Sequence, residues 1–212
     1  DRFSNEFKQI IREQLQGVWN GFAEADSLPE FYSYKNTLTS FLDRYNPKTD
    51  ETKKGMIAEL LAHLLINLQD NKLTSLSILK NKEERSIKKG FDIVYCDIDN
   101  NKLWYSEVKS GRSEDGSQDS TEYNTELLNR SKTSISNMLQ ERRNSLWESA
   151  LLDVSAMIKE NEGRLNLREL LSKDAPIINP IQKKNVILIS TLYHNLTDQI
   201  EEDSVSAFFS ST

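Results

Sequence analysis

Two β-rich runs joined by a short turn constrain this chain more than any other feature. Gly90 to Ile98 reads G-F-D-I-V-Y-C-D-I, and Lys102 to Lys109 reads K-L-W-Y-S-E-V-K. Both are dense in β-branched and aromatic side chains, which suit a pleated surface. Asp99-Asn100-Asn101 between them is turn chemistry, so the pair predicts a hairpin. Each run is apolar at successive positions. A strand exposes alternate side chains on opposite faces, so both faces of this hairpin need covering, and helices are expected on each side.

The rest of the chain can supply them. Only 7 Gly and 4 Pro occur in 212 residues, so turns are few and helices should dominate. The clearest helix runs from about Thr52 to Gln69, where Ile57, Leu60, Leu61, Leu64, Leu65 and Leu68 form a broad apolar stripe. Before it, apolar spacing from Phe3 to Leu42 predicts two helices with a break near Ser27-Leu28-Pro29. A short strand is expected at Leu73–Leu79, one continuous helix from Glu122 to Asn161, a short helix near Leu167–Leu171, a buried strand at Asn185–Leu192 and a short helix in the tail. The central order is therefore α-β-β-β-α-β. It predicts an α/β fold, a mixed sheet flanked by helices, with a crossover into the last strand. Residues 1–50 are expected to be a helical segment packed on the core. Residues 51–212 form the main domain, with a helical insertion at about 122–172.

Composition excludes several classes. The apolar runs around Leu60–Ile66 and Val186–Leu192 fall far short of the roughly 20 residues needed to span a bilayer, so no membrane partner is expected. The single Cys96 lies in an apolar run and reads as core, which rules out a disulfide framework and suits a reducing, cytoplasmic location. No secretory leader pattern is visible. The formal charge is −6, so any DNA contact must be local, because whole-surface nucleic-acid binders are basic. The cluster Lys80, Lys82, Arg85, Lys88 and Lys89, which feeds the Asp92 strand, is the best candidate for phosphate contacts; Arg142-Arg143 and Lys183-Lys184 are weaker ones. No Cys/His cluster, nucleophile elbow or phosphate-binding glycine loop occurs, so a zinc site, acyl transfer and an ATP motor have no support.

The hairpin register identifies the residues for chemistry. A two-residue loop at Asp99-Asn100 pairs Cys96 with Leu103, Val94 with Tyr105 and Asp92 with Glu107. Any even-length loop puts Asp92, Glu107 and Lys109 on one sheet face. Two carboxylates side by side on an apolar face repel each other and lose hydration. A divalent cation compensates both effects, and Lys109 beside it could hold a water or a phosphate oxygen. That set suits phosphodiester hydrolysis. The plain alternative is a buried ion pair. The strand context, turn length and element order favour the chemical reading.

Gly90-Phe91-Asp92 followed by Glu107-Val108-Lys109 on the next strand resembles the PD-(D/E)XK nuclease superfamily, and the element order over about 53–192 resembles its restriction-endonuclease-like core. More narrowly, the G-F-D and L-W-Y-S-E-V-K strands with the helices after them are similar to the HamA-like nuclease subunits of Hachiman-type anti-phage defence. The resemblance implies a DNA nuclease using Mg²⁺ (or Mn²⁺), with Asp92 and Glu107 as metal ligands, Lys109 as the catalytic lysine and Glu59 on the preceding helix completing the site. It also implies a helicase subunit as partner. Two other readings stand beside it: a catalytically inactive module of the same fold used for binding or assembly, and a homodimeric restriction-type endonuclease.

Overall fold

The structure is a computed structural model that describes residues 4–80, 90–113, 119–180, 183–195 and 197–210. In chain order these residues form α1 (Asn5–Asn20), α2 (Phe22–Ser27), α3 (Tyr34–Tyr45), α4 (Asp50–Gln69), β1 (Leu73–Ser75), β2 (Ile93–Asp97), β3 (Lys102–Arg112), α5 (Ser120–Gln140), α6 (Asn144–Met157), α7 (Asn161–Asp174), β4 (Asn185–Tyr193) and α8 (Glu202–Ser210). The result is a helix-rich α/β protein with a four-stranded sheet ordered β1-β2-β3-β4. The first three strands are antiparallel neighbours, and β4 runs parallel to β3 after the chain returns through α5, α6 and α7. None of the described helices is long and apolar enough to cross a membrane.

The sheet is covered on both faces, as the doubly apolar hairpin requires. One face carries Val94, Cys96, Leu103 and Tyr105, packed against Ile135 and Met138 of α5, Leu146 and Trp147 of α6, and Leu167 and Leu171 of α7. Cys96 lies in this core, where burial raises its thiol pKa to about 11. The other face carries Ile93, Tyr95 and Val108 beneath Ala58 and Ala62 of α4. Small alanines let that helix approach the strands closely. The opposite side of α4 presents Leu60 and Leu64 to Leu15, Val18 and Trp19 of α1 and Phe41 of α3. A helix packed on two sides cannot be simply amphipathic, which explains the breadth of its leucine stripe. Thr49 caps its start, accepting the Thr52 N–H at 3.4 Å, and Asp50 and Glu51 complement the dipole of the first turn.

Tyr105 anchors the first face through a buried polar chain. Its hydroxyl donates to Asp174 Oδ2 at 2.5 Å and accepts from Trp147 Nε1 at 3.0 Å. Lys184 Nζ meets the other oxygen of Asp174 at 2.8 Å. Lys184 is thus committed inside the protein, which corrects its assignment as a phosphate contact. Arg143 pairs on the surface with Glu141 at 2.5 Å.

The hairpin register is Val94 opposite Tyr105 and Cys96 opposite Leu103, and the last pair is Asp97 with Lys102. The loop is therefore Ile98 to Asn101, four residues and not two. Asn101 takes the left-handed conformation (φ 50°), and the Asp97 carboxylate accepts the Asn100 N–H at 3.1 Å. Both lengths are even, so the facing of every side chain is the same. β2 ends its pairing at Ile93 opposite Ser106, whereas β3 continues beside β4 as far as Arg112. From Glu107 onward no strand among the described residues lies on the β2 side of β3, and the sheet forks there.

Several boundaries differ from the sequence expectation. The N-terminal segment has a further break at Gly21, whose φ is 96° and where an added Cβ would lie 2.5 Å from the Ala156 carbonyl oxygen. Only glycine allows both that backbone and that approach. The single helix expected over Glu122–Asn161 is two, α5 and α6, separated where Arg142 adopts φ 49°. That reversal brings Leu146 and Trp147 back under Tyr105. Asn161-Glu162-Gly163 opens α7 and does not end a helix. β1 is only Leu73–Ser75, although Leu76 N–H still donates to the Val94 carbonyl at 2.7 Å.

Candidate active site

The fork gathers the acidic residues. Asp92 lies in the bend just before β2, and its Oδ2 accepts the Val108 N–H at 2.7 Å. A side-chain carboxylate thereby takes the ladder bond that a continuing strand would have made, and the Asp92 side chain is fixed against β3.

Glu107 is the first β3 residue past the last β2 pair, and it is only 4% exposed. Its Oε1 accepts the Ser134 hydroxyl of α5 at 2.7 Å and is ion-paired with Lys109 Nζ. Its main-chain oxygen accepts the Ser131 hydroxyl at 2.7 Å. Lys109, two residues along the same strand face, keeps 26% of its side chain exposed. The lysine side chain thus keeps contact with solvent while the acid beside it has almost none.

Glu59 comes from α4, on the other side of the sheet, yet the charges of Asp92 and Glu107 both act on it. The gap left by β2 is what allows residues from opposite faces to influence one another. Burial first, then these two neighbours, push the Glu59 pKa up to about 8, with Lys109 pulling the other way. Burial and the Glu107 charge push Asp92 up to about 7 against the Val108 N–H and Lys109. Both residues are half-buried as a whole. The structure therefore brings together Asp92, Glu107, Lys109 and Glu59.

The donor set bears on which cation could fit. Among the described residues, no three His, Cys, Asp or Glu side chains are assembled as a ready cage. Mg²⁺ does not need one. It keeps several waters and is held by one or two carboxylates together with substrate phosphates. Asp92 and Glu107 supply two hard oxygen donors and no soft ones, so they fit such an ion.

Other sequence candidates lie elsewhere. His63 is 1% exposed, with Nδ1 3.2 Å from the Ser75 hydroxyl and no partner for Nε2 among the described residues; burial lowers its pKa to about 3. It is a core residue between α4 and β1. Lys80 donates its backbone N–H to the Trp19 carbonyl at 3.1 Å. Lys82, Arg85, Lys88 and Lys89 lie outside the described residues. Sequence reasoning missed Ser131 and Ser134. A signal existed for the first: Ser131 interrupts the apolar stripe Leu127, Leu128, Ile135, Met138 of α5, and a hydroxyl there needs a partner across the interface.

Fold and site together define a class: a mixed α/β protein with a buried acid pair and a lysine at a fork in its sheet. A family model described as HamA matches residues 1–210. The chain belongs to the HamA family, and that membership fits a role in anti-phage defence. Comparison with curated proteins and with solved structures finds no match.

Proposed function

We propose that this chain is a metal-dependent DNA nuclease with a restriction-endonuclease-like core, of the PD-(D/E)XK kind, acting in anti-phage defence with a helicase subunit. The observation that carries the reading is a nearly buried Glu107 beside Val108, whose N–H is held by the Asp92 carboxylate, with the partly exposed Lys109 ion-paired to Glu107. A protein gains little stability from such a pair, since burial and like charge both oppose it. A divalent cation relieves both penalties. When bound, Mg²⁺ or Mn²⁺ supplies neutralising charge for a phosphoryl oxygen and acidifies a water.

The chain's own groups do the rest. Asp92 and Glu107 would hold the ion. Lys109 orients the attacking water and balances charge that develops on the phosphate. Burial and the neighbouring carboxylates raise the Glu59 pKa and so favour its protonated form, and a bound cation would oppose that shift. The net charge of −6 leaves little general attraction for DNA, which supports delivery of the substrate by a partner.

The test is plasmid cleavage with Mg²⁺, with and without the helicase subunit, comparing the parent with Lys109→Ala and Glu107→Ala. Both variants should lose cutting while staying folded. Variants that cut as fast as the parent would refute the reading. A parent that neither cuts nor binds metal would support an inactive binding module instead. A fixed cleavage pattern from a dimer in solution would support a restriction-type enzyme.

A further inference from the structure

We infer that Ser134 is a positioning residue that sets which oxygen of Glu107 is presented to the cation; the inference rests on the nuclease reading above. A glutamate has three side-chain torsions, and its carboxylate can present either oxygen unless something holds it. Here Oε1 accepts both the Ser134 hydroxyl and the Lys109 ammonium. Both of these bonds fall on Oε1, which leaves Oε2 as the oxygen a cation could take. Three residues back on the same helix face, Ser131 donates to the Glu107 main-chain oxygen. α5 therefore holds one residue of β3 at both its backbone and its carboxylate.

Helix propensity does not account for these serines. Serine is a mediocre helix former, and in a helix interior its hydroxyl commonly turns back to the carbonyl four residues earlier. Thr125 does this on the same helix, bonding the Thr121 carbonyl at 3.0 Å. Ser131 and Ser134 both reach across to Glu107 instead. Such outer partners of metal ligands typically change affinity or activity by about 10–100-fold when removed. Lys109 cannot substitute for Ser134, because a lysine drawn onto a phosphate or water leaves Oε1, and the hydroxyl is then the bond that keeps the carboxylate from turning.

The experiment uses the full chain and Mn²⁺ alone as the probe. Mn²⁺ affinity is measured by titration calorimetry and electron paramagnetic resonance for the parent, Ser134→Ala and Ser134→Thr, with thermal melts in EDTA for each. Plasmid cleavage then separates kcat from KM. Ser134→Ala should weaken Mn²⁺ binding by about 10–100-fold and lower kcat with little change in KM for DNA. Ser134→Thr, which keeps the hydroxyl, should restore both. Parent-like Mn²⁺ affinity in Ser134→Ala would overturn the inference, as would a threonine variant as impaired as the alanine at an unchanged melting temperature. A parent that binds no Mn²⁺ would overturn the nuclease reading itself and the inference with it, so the two failures are distinguishable.

Discussion

Replacing Asp92 with Asn should make the ion-free protein more stable at alkaline pH. The Asp92 pKa rises from 3.8 to about 7 in the fold, chiefly through burial and then through the Glu107 charge. A folded state that raises a carboxyl pKa binds more protons than the unfolded chain between those values, so stability falls as pH climbs from about 4 to about 7. Above pH 7 the full cost is present. At about 1.4 kcal/mol per pH unit the ceiling is about 4 kcal/mol. Relaxation and residual solvent contact reduce this to about 1–3 kcal/mol. Asn keeps an oxygen for the Val108 N–H and offers Glu107 a donor where a like charge had been. The assay is urea unfolding in EDTA at pH 4 and pH 8. The two proteins should match at pH 4 and separate at pH 8 with the variant ahead. Saturating Mg²⁺ should reverse the order, because only the parent gains from binding. A variant less stable than the parent at pH 8 in EDTA would show that Asp92 is a structural partner in an ion-pair network, and the argument for a cation site would fall.

Two further outcomes follow from the core. Lys184→Met should cost about 3–5 kcal/mol in urea unfolding, because among the described residues Asp174 stays buried with only the Tyr105 hydroxyl on its side-chain oxygens; a loss below about 1 kcal/mol would contradict a desolvated pair. His63 has its pKa lowered from 6.5 to about 3 by burial, so the unfolded chain binds the extra proton and stability is lost as pH falls below 6.5. The loss should be about 2 kcal/mol by pH 5. His63→Gln should show a urea midpoint less sensitive to pH over that range, and an unchanged slope would place the titration elsewhere.

The hairpin and its facing were legible because period two tolerates an error in loop length. A two-residue loop and the four-residue Ile98–Asn101 loop share the same parity, so Asp92, Glu107 and Lys109 keep their side. The strand at Asn185–Tyr193 was equally plain from its β-branched run, but its burial was not: it lies at the edge of the sheet, and none of its residues is fully buried. What failed was local and tertiary. The reversal at Arg142 has no glycine or proline to announce it; it is imposed by the need to bring Trp147 under Tyr105. The break at Gly21 reflects the approach of Ala156, a contact between segments far apart in sequence. Ser134 is one of several serines on α5, and nothing local marks the one whose helical phase brings it to Glu107.

The amide proton of Val108 deserves a spectroscopist's notice. Its acceptor is not a carbonyl of a neighbouring strand but the carboxylate of Asp92, so its chemical shift and its rate of exchange with deuterium are tied to whether that group is charged, protonated or drawn toward an ion. One backbone resonance, needing no added label beyond ¹⁵N, thus offers a direct readout of occupancy at the place where the strands part.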